Sequence, residues 1–221
     1  MPDYSDHGKT VIMGNGQFPQ DSIPLGILRH ARRVIACDGA AATLLSNGIR
    51  PDAVIGDLDS MPQDLRESLK ELVTHVPEQE TNDLSKAFRF CLSNGFDRNI
   101  AILGATGLRE DHTLGNISLL ADFSRQSPDI EMVTDDGVFR AIFKASTLNA
   151  VPGQQISIFA LDHDTPIFSS GLKYPLNGLS PHRWWQATLN QAESNQFSLD
   201  FPEGKAVLLY WTHMRTAEQH P

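Results

Sequence analysis

Ala53-Val54-Ile55-Gly56-Asp57-Leu58-Asp59-Ser60 is a short apolar run that ends in two carboxylates one residue apart. Ala53 to Ile55 suits a buried strand, and Met61-Pro62 opens the next helix, so the carboxylates fall at the carboxyl end of that strand. Open α/β sheets bind their ligands at that edge. Two unit charges about 4 Å apart repel by roughly 4 kcal/mol at an effective dielectric near 20, a cost that a cation or protons must offset. Alternation along a strand puts Asp57 and Asp59 on the same side, within reach of one ion. A solvated Asp-rich turn accounts for an isolated Asp-x-Asp equally well, so the weight rests on what surrounds it.

Outward from this strand, residues 1–135 alternate short β-like runs with helix-like segments. Thr10 to Met13 ends in the turn Gly14-Asn15-Gly16. Asp21-Ser22 caps a short helix through His30. Val34 to Cys37 runs into Asp38-Gly39, and a helix from Ala40 to Asn47 stops at Gly48. Asp64 to Leu72 reads as helix and Leu72 to Val76 as strand. Asn82 to Asn94 is an amphipathic helix, with Leu84, Ala87, Phe88, Cys91 and Leu92 at helical spacing. Asn99 to Leu103 is a strand that breaks into Gly104-Ala105-Thr106-Gly107, followed by a helix from Asp111 to Arg125 and a strand at Ile130 to Thr134. Such alternation predicts a mostly parallel, Rossmann-like sheet with helices on both faces.

After Asp135-Asp136-Gly137 the texture changes, and residues 136–221 are expected to form a separate small β-sandwich. Val138 to Phe143, Ser146 to Ala150, Gln155 to Ala160, Thr165 to Leu172, Gln196 to Phe201 and Lys205 to Trp211 read as strands between Gly, Pro and Asn turns.

The 221 residues are enough to bury a substantial core, and a net charge of −9 disfavours nucleic acid or an anionic membrane as partner. An anionic substrate would need a local cation to overcome that field. Cys37 and Cys91 lack CxxC spacing and sit in apolar patterns, as buried thiols of a reducing compartment do. The first residues have no signal-peptide pattern and no segment reaches 18 apolar residues, so a cytoplasmic protein is expected.

Five acidic positions fall where a strand ends or a helix begins: Asp38, the Asp57/Asp59 pair, Asp83 and Asp111. Helix capping explains any one of them; their coincidence at one edge of a sheet points to a site. Hard oxygen ligands suit Mg²⁺, which takes one or two carboxylates and leaves its other positions to water and phosphate. Lys86 lies one turn from Asp83. The loop Gly104 to His112 supplies flexible backbone, a hydroxyl, Arg109, Asp111 and an imidazole ahead of a helix N-terminus, a ready anion site. No Walker, dinucleotide or kinase signature is present.

Cys37-Asp38-Gly39-Ala40-Ala41, Pro51 to Ser60, Asn82-Asp83-Leu84-Ser85-Lys86-Ala87, Gly104 to Asn116 and Gly171-Leu172-Lys173-Tyr174-Pro175-Leu176 together resemble the thiamine pyrophosphokinase family. The resemblance spans both halves of the chain in the family's order. It implies an α/β catalytic domain followed by a β-sandwich that binds thiamine and dimerises, and a homodimer. It also implies Mg²⁺-dependent transfer of pyrophosphate from ATP to thiamine, releasing AMP. Mg²⁺ would then fall to Asp57, Asp59 and Asp83, while Lys86, Arg109, Asp111 and His112 surround the triphosphate. Asn15, Gly16, Ser60 and Thr106 complete the expected ATP contacts. Asp38 sits close by, and either Asp38 or Asp111 would orient or deprotonate the thiamine hydroxyl. Trp184, Trp185, Ser194 and Asn195 are the expected thiamine contacts, an indole offering stacking or a cation–π face.

The chain departs from the family pattern at Ala40 and Thr43 or Ala42, at Asn82 where the family has Thr, and at Leu108 where it has Gly. None of these removes a charged group. Two other readings use the same residues: a Mg²⁺-dependent phosphohydrolase of nucleotide or sugar phosphates, and a non-catalytic thiamine or nucleotide sensor. AMP formation that requires thiamine separates the first, and the intact charged set speaks against the second.

Overall fold

The structure is a computed structural model that describes residues 8–59 and 61–214. These fall into two compact units that divide between Asp135 and Asp136.

In the N-terminal unit the apolar runs become strands, β1 (Thr10–Met13), β2 (Arg33–Cys37), β3 (Ala53–Gly56), β4 (Val73–His75), β5 (Ile100–Leu103) and β6 (Glu131–Val133); β1, β3 and β5 are fully buried, β2 and β6 are buried past a half-buried first residue, and β4 is largely exposed. All pair in parallel, in the order β6-β5-β1-β2-β3-β4. The helices are α1 (Ser22–Arg29), α2 (Ala40–Ser46), α3 (Gln63–Ser68), α4 (Asp83–Ser93) and α5 (Glu110–Gln126). Asp21 caps α1 by accepting from the Ile23 N–H at 2.9 Å, and Asn82 caps α4 by accepting from Ser85 N–H at 3.0 Å. α3 is shorter than the sequence predicts, because the chain turns at Leu69 to deliver Val73 to the edge of the sheet.

α4 lies against β1, β2 and β3 and also touches α5, where Phe88 stacks on Phe123 at 4.2 Å between ring centroids. The chain runs outward from β1 to β4, and α4 carries it back so that β5 pairs with β1. Strand order therefore reverses between β1 and β5. Loops leaving adjacent strands at such a point diverge and open a crevice, the ligand position of open α/β sheets.

The C-terminal unit has β7 (Gly137–Ile142), β8 (Ser146–Asn149), β9 (Gln155–Ala160), β10 (Ile167–Ser170), β11 (Asn177–Leu179), β12 (Asn190–Gln191), β13 (Gln196–Asp200) and β14 (Val207–Thr212). β12-β9-β14-β7 form one antiparallel array and β11-β10-β13-β8 a second. Alternation puts Ile156, Ile158, Phe197 and Leu199 inward, and they join Ile167, Leu172, Val207 and Leu209 in one core. The sequence reading extends β10 to residues 165–172, yet both ends leave the ladder. Thr165 is buried with its hydroxyl on Asp162 O, and Leu172 bridges to Ala192.

Candidate active site

Loops leaving β1 and β5 are joined backbone to backbone. Gly14 N–H donates to Leu103 O at 2.8 Å, Gly16 N–H to Gly104 O at 2.6 Å and Gln17 N–H to Thr106 O at 2.8 Å. A Cβ on Gly16 would stand 2.6 Å from two backbone oxygens, so only glycine allows this approach. These loops border a cleft of about 540 Å³ whose other walls come from the loop after β3, from residues 79–83 and from the first turns of α4 and α5.

On the acidic wall, Lys86 is 3% exposed, and its ammonium lies 3.2 Å from Asp83 Oδ1 and 3.8 Å from Asp57 Oδ2. Asp57 Oδ2 also accepts from Gln79 Nε2 at 2.9 Å, and Asp57 Oδ1 accepts from the Asp59 N–H at 3.2 Å. The Gln79 amide first, then that N–H and the Lys86 charge, hold the Asp57 carboxyl below its usual range. Glu78 fixes the segment ahead of α4. It accepts from the Glu80 and Thr81 N–H groups, the Thr81 hydroxyl and the Arg89 guanidinium, and its carboxyl is lowered to about 2.

Asp59 is placed differently from the sequence expectation. β3 ends at Gly56 and Leu58 takes φ +70, so strand alternation no longer governs this pair. Asp59 is exposed and outside the cleft lining, whereas Asp57 and Asp83 line it. Leu58 and Asp38 (φ +29) are non-glycine residues in the left-handed region, both just past a strand end, a place where functional sites hold local strain.

On the anion wall, Thr106, Arg109 and His112 line the cleft with Asn15 and Gly16. Arg109 grips Asp111 through two bonds, Nη2 to Oδ2 at 2.6 Å and Nε to Oδ1 at 3.1 Å. That grip, with the His112 N–H, lowers the exposed Asp111 carboxyl to about 2. Asp38 is buried at the end of β2 and is not among the lining residues. Ser60 lies outside the described residues. Trp184, Trp185, Ser194 and Asn195 are all exposed in the C-terminal unit. The two tryptophans lie on a short 3₁₀ helix, Trp184–Ala187, and the Ser194 hydroxyl donates to Gln196 O at 2.6 Å.

Sequence reasoning gave no site role to Gln79, Thr81, Leu108 or Asn116, which line the cleft, although the last two lie in the stretch Gly104 to Asn116 that it singled out. Gln79 carries no local signal, since a glutamine in a polar loop looks the same whether it faces a carboxylate or water. Cys37 also reaches the lining; its thiol donates to Asp83 O at 3.6 Å, and burial pushes its pKa up.

Among the described residues no three acidic, imidazole or thiol groups stand ready around one point to hold a metal. Asp57 and Asp83 nevertheless offer hard oxygens to one shared cation, Lys86. That donor chemistry fits a Mg²⁺ ion that takes two carboxylates and completes its shell with phosphate and water.

Residues 26–133 match the family model "Thiamin pyrophosphokinase, catalytic domain", and residues 137–210 match "Thiamin pyrophosphokinase, substrate-binding domain". The chain is similar to thiamine pyrophosphokinase of Bacillus subtilis, 30% identical over 65% of this chain and 70% of that protein. It is also similar to thiamin pyrophosphokinase 1 of Caenorhabditis elegans, 28% identical over 68% and 67% of the two chains. A crystal structure of thiamine pyrophosphokinase from Bacillus subtilis superposes with a TM-score of 0.76 at 24% identity, covering 93% of this chain and 100% of that one, which shows a shared fold.

Proposed function

The chain belongs to the thiamin pyrophosphokinase family and is a thiamine diphosphokinase; we propose that the cleft at the β1/β5 reversal binds ATP and is where pyrophosphate passes to the hydroxyethyl oxygen of thiamine. The observation that carries this reading is one cleft with two unlike walls: Asp57, Asp83 and buried Lys86 on one, and the Gly104 to His112 loop with its helix N-terminus on the other. A triphosphate needs both, a cationic clamp on its oxygens and donors fixed before it arrives.

In this reading the thiamine hydroxyl attacks the β-phosphorus in line and AMP leaves. Lys86 is held by two carboxylates and directs its charge at the transferring group without reorganising. Arg109 exchanges part of its grip on Asp111 for phosphate oxygens, and the Thr106 hydroxyl and α5 N–H groups add neutral donors. Asp111, whose carboxyl the Arg109 grip and the His112 N–H hold low, serves to orient Arg109. A loose transition state lets the hydroxyl proton leave late, so a strong base is not required. Mg²⁺ on Asp57 and Asp83, with Asp59 on the adjoining loop, supplies charge neutralisation when bound.

We assign thiamine contacts to Trp184, Trp185, Ser194 and Asn195 in the C-terminal unit, the region matched by the substrate-binding model. The assembly we propose is a homodimer, and the compartment is the cytoplasm, a reading that the free thiols of Cys37 and Cys91 support. Among the described residues no helix is long and apolar enough to cross a membrane.

The test is mass-resolved product analysis with ATP, Mg²⁺ and thiamine, omitting each in turn. Equal AMP and thiamine diphosphate are expected. ADP with thiamine monophosphate overturns attack at the β-phosphorus, and AMP or phosphate formed without thiamine establishes a hydrolase.

A further inference from the structure

Asn116 lies on α5 one turn beyond His112, carries no charge, and lines the cleft. Its Nδ2 donates to Ala105 O at 2.8 Å, and its Oδ1 accepts from Asn82 Nδ2 at 3.1 Å. Asn82 is the N-cap of α4, the residue before Asp83, and its Oδ1 accepts from the Ser85 N–H at 3.0 Å and the Ser85 hydroxyl at 2.9 Å.

Backbone groups fix the orientation of both amides. Ala105 O can only accept, so Asn116 must turn its NH₂ toward it and its oxygen toward Asn82. Ser85 N–H can only donate, so Asn82 must turn its oxygen to the helix and its NH₂ toward Asn116. The two demands agree, and one continuous chain of bonds runs from the first turn of α4 to the anion loop. Ala105 itself is 5% exposed, within the segment joined to the Gly14 to Gln17 loop.

We infer that Asn116 is a positioning residue for the transfer reaction, a bridge that sets the spacing between Asp83 and Lys86 on α4 and the phosphate-binding loop at Ala105. The inference rests on the pyrophosphotransferase reading of the cleft. It makes Asn82 a functional choice in this chain: a threonine there still caps α4 through its hydroxyl oxygen but cannot reach Asn116 with an amide donor. The two walls must hold one triphosphate between them, and an ångström of misplacement costs up to about 100-fold in rate.

Four variants of the enzyme test it, Asn82→Thr, Asn116→Ala, the double variant of these two and Asn116→Asp, with kcat, both KM values, and calorimetric binding of a non-hydrolysable ATP analogue. Asn82→Thr keeps the helix cap and so guards against a folding artefact. Each single variant is expected to lose about 10- to 100-fold in kcat/KM for ATP and to bind the analogue more weakly. The KM for thiamine should stay within about twofold, and the double variant should be no worse than Asn116→Ala alone, because both changes cut one bridge. Asn116→Asp, the same size but unable to donate to Ala105 O, should be at least as impaired as Asn116→Ala. Losses that simply multiply in the double variant, or an Asn82→Thr enzyme with unchanged ATP kinetics and binding, overturn the bridge. A wild-type enzyme that forms no thiamine diphosphate overturns the underlying reading instead.

Discussion

Lys86 and Asp57 meet at 3.8 Å although one lies on α4 and the other just past β3, and this contact ties the acidic loop to the helix beside it. The lysine is almost wholly buried while its two carboxylate partners remain partly open to the cleft, with side chains 20% and 35% exposed. The ammonium therefore borders the cleft with less exposure than either carboxylate that holds it.

Lys86→Met removes the charge and keeps an unbranched side chain in the same space. Turnover is expected to fall by roughly 100- to 1,000-fold, the usual loss on removing a preorganised electrostatic stabiliser. Steady-state AMP formation measures it, and a variant within threefold of wild type would remove Lys86 from the machinery.

Gln79→Ala is predicted to move the acid limb of the pH–rate profile. The Gln79 amide is the largest influence keeping Asp57 below its ordinary value of 3.8, because it donates to the ionised form. Without it the pKa rises, so the carboxylate protonates at higher pH and the acid limb of kcat/KM shifts upward. An unchanged limb would mean that Asp57 ionisation does not control the reaction.

The two tryptophans separate by phenotype. Trp184 makes an edge contact with Phe159 at 5.8 Å between centroids, so Trp184→Ala should lower thermal stability. Trp185 is 70% exposed, so Trp185→Ala should leave stability within about 0.5 kcal/mol. It should instead raise the KM for thiamine much more than that for ATP. Equal changes in both KM values would remove Trp185 from the thiamine site.

Two glycine substitutions should act in opposite directions. Gly104 has φ +60, and a Cβ there would lie 2.6 Å from Met13 Cε and 2.8 Å from Gly14 O. Gly104→Ala is therefore expected to cost about 1–3 kcal/mol. Gly26 lies inside α1, and a methyl group added to it would meet nothing within 4 Å, so Gly26→Ala should stabilise by about 0.4–1 kcal/mol. Urea midpoints check both signs.

Local features were legible in the order of residues alone. Mostly apolar runs marked β1, β2, β3 and β5 as buried strands, and Asp21 and Asn82 announced the starts of α1 and α4, because burial pattern and capping depend on neighbours in the chain. The acidic positions at strand and helix ends were equally plain. Which of them meet depends on long-range packing. Periodicity says that Ile102 is buried but not that it pairs with Ile12, and that pairing brings the Gly14 and Gly104 loops together at the reversal of strand order. The same limit separates Asp57 from Asp59: the chain takes a left-handed turn at Leu58, and the second carboxylate falls outside the cleft lining. The contacts of Gln79 and Asn116 became visible only in three dimensions, because a neutral amide carries no pattern until its hydrogen-bond partners are in place.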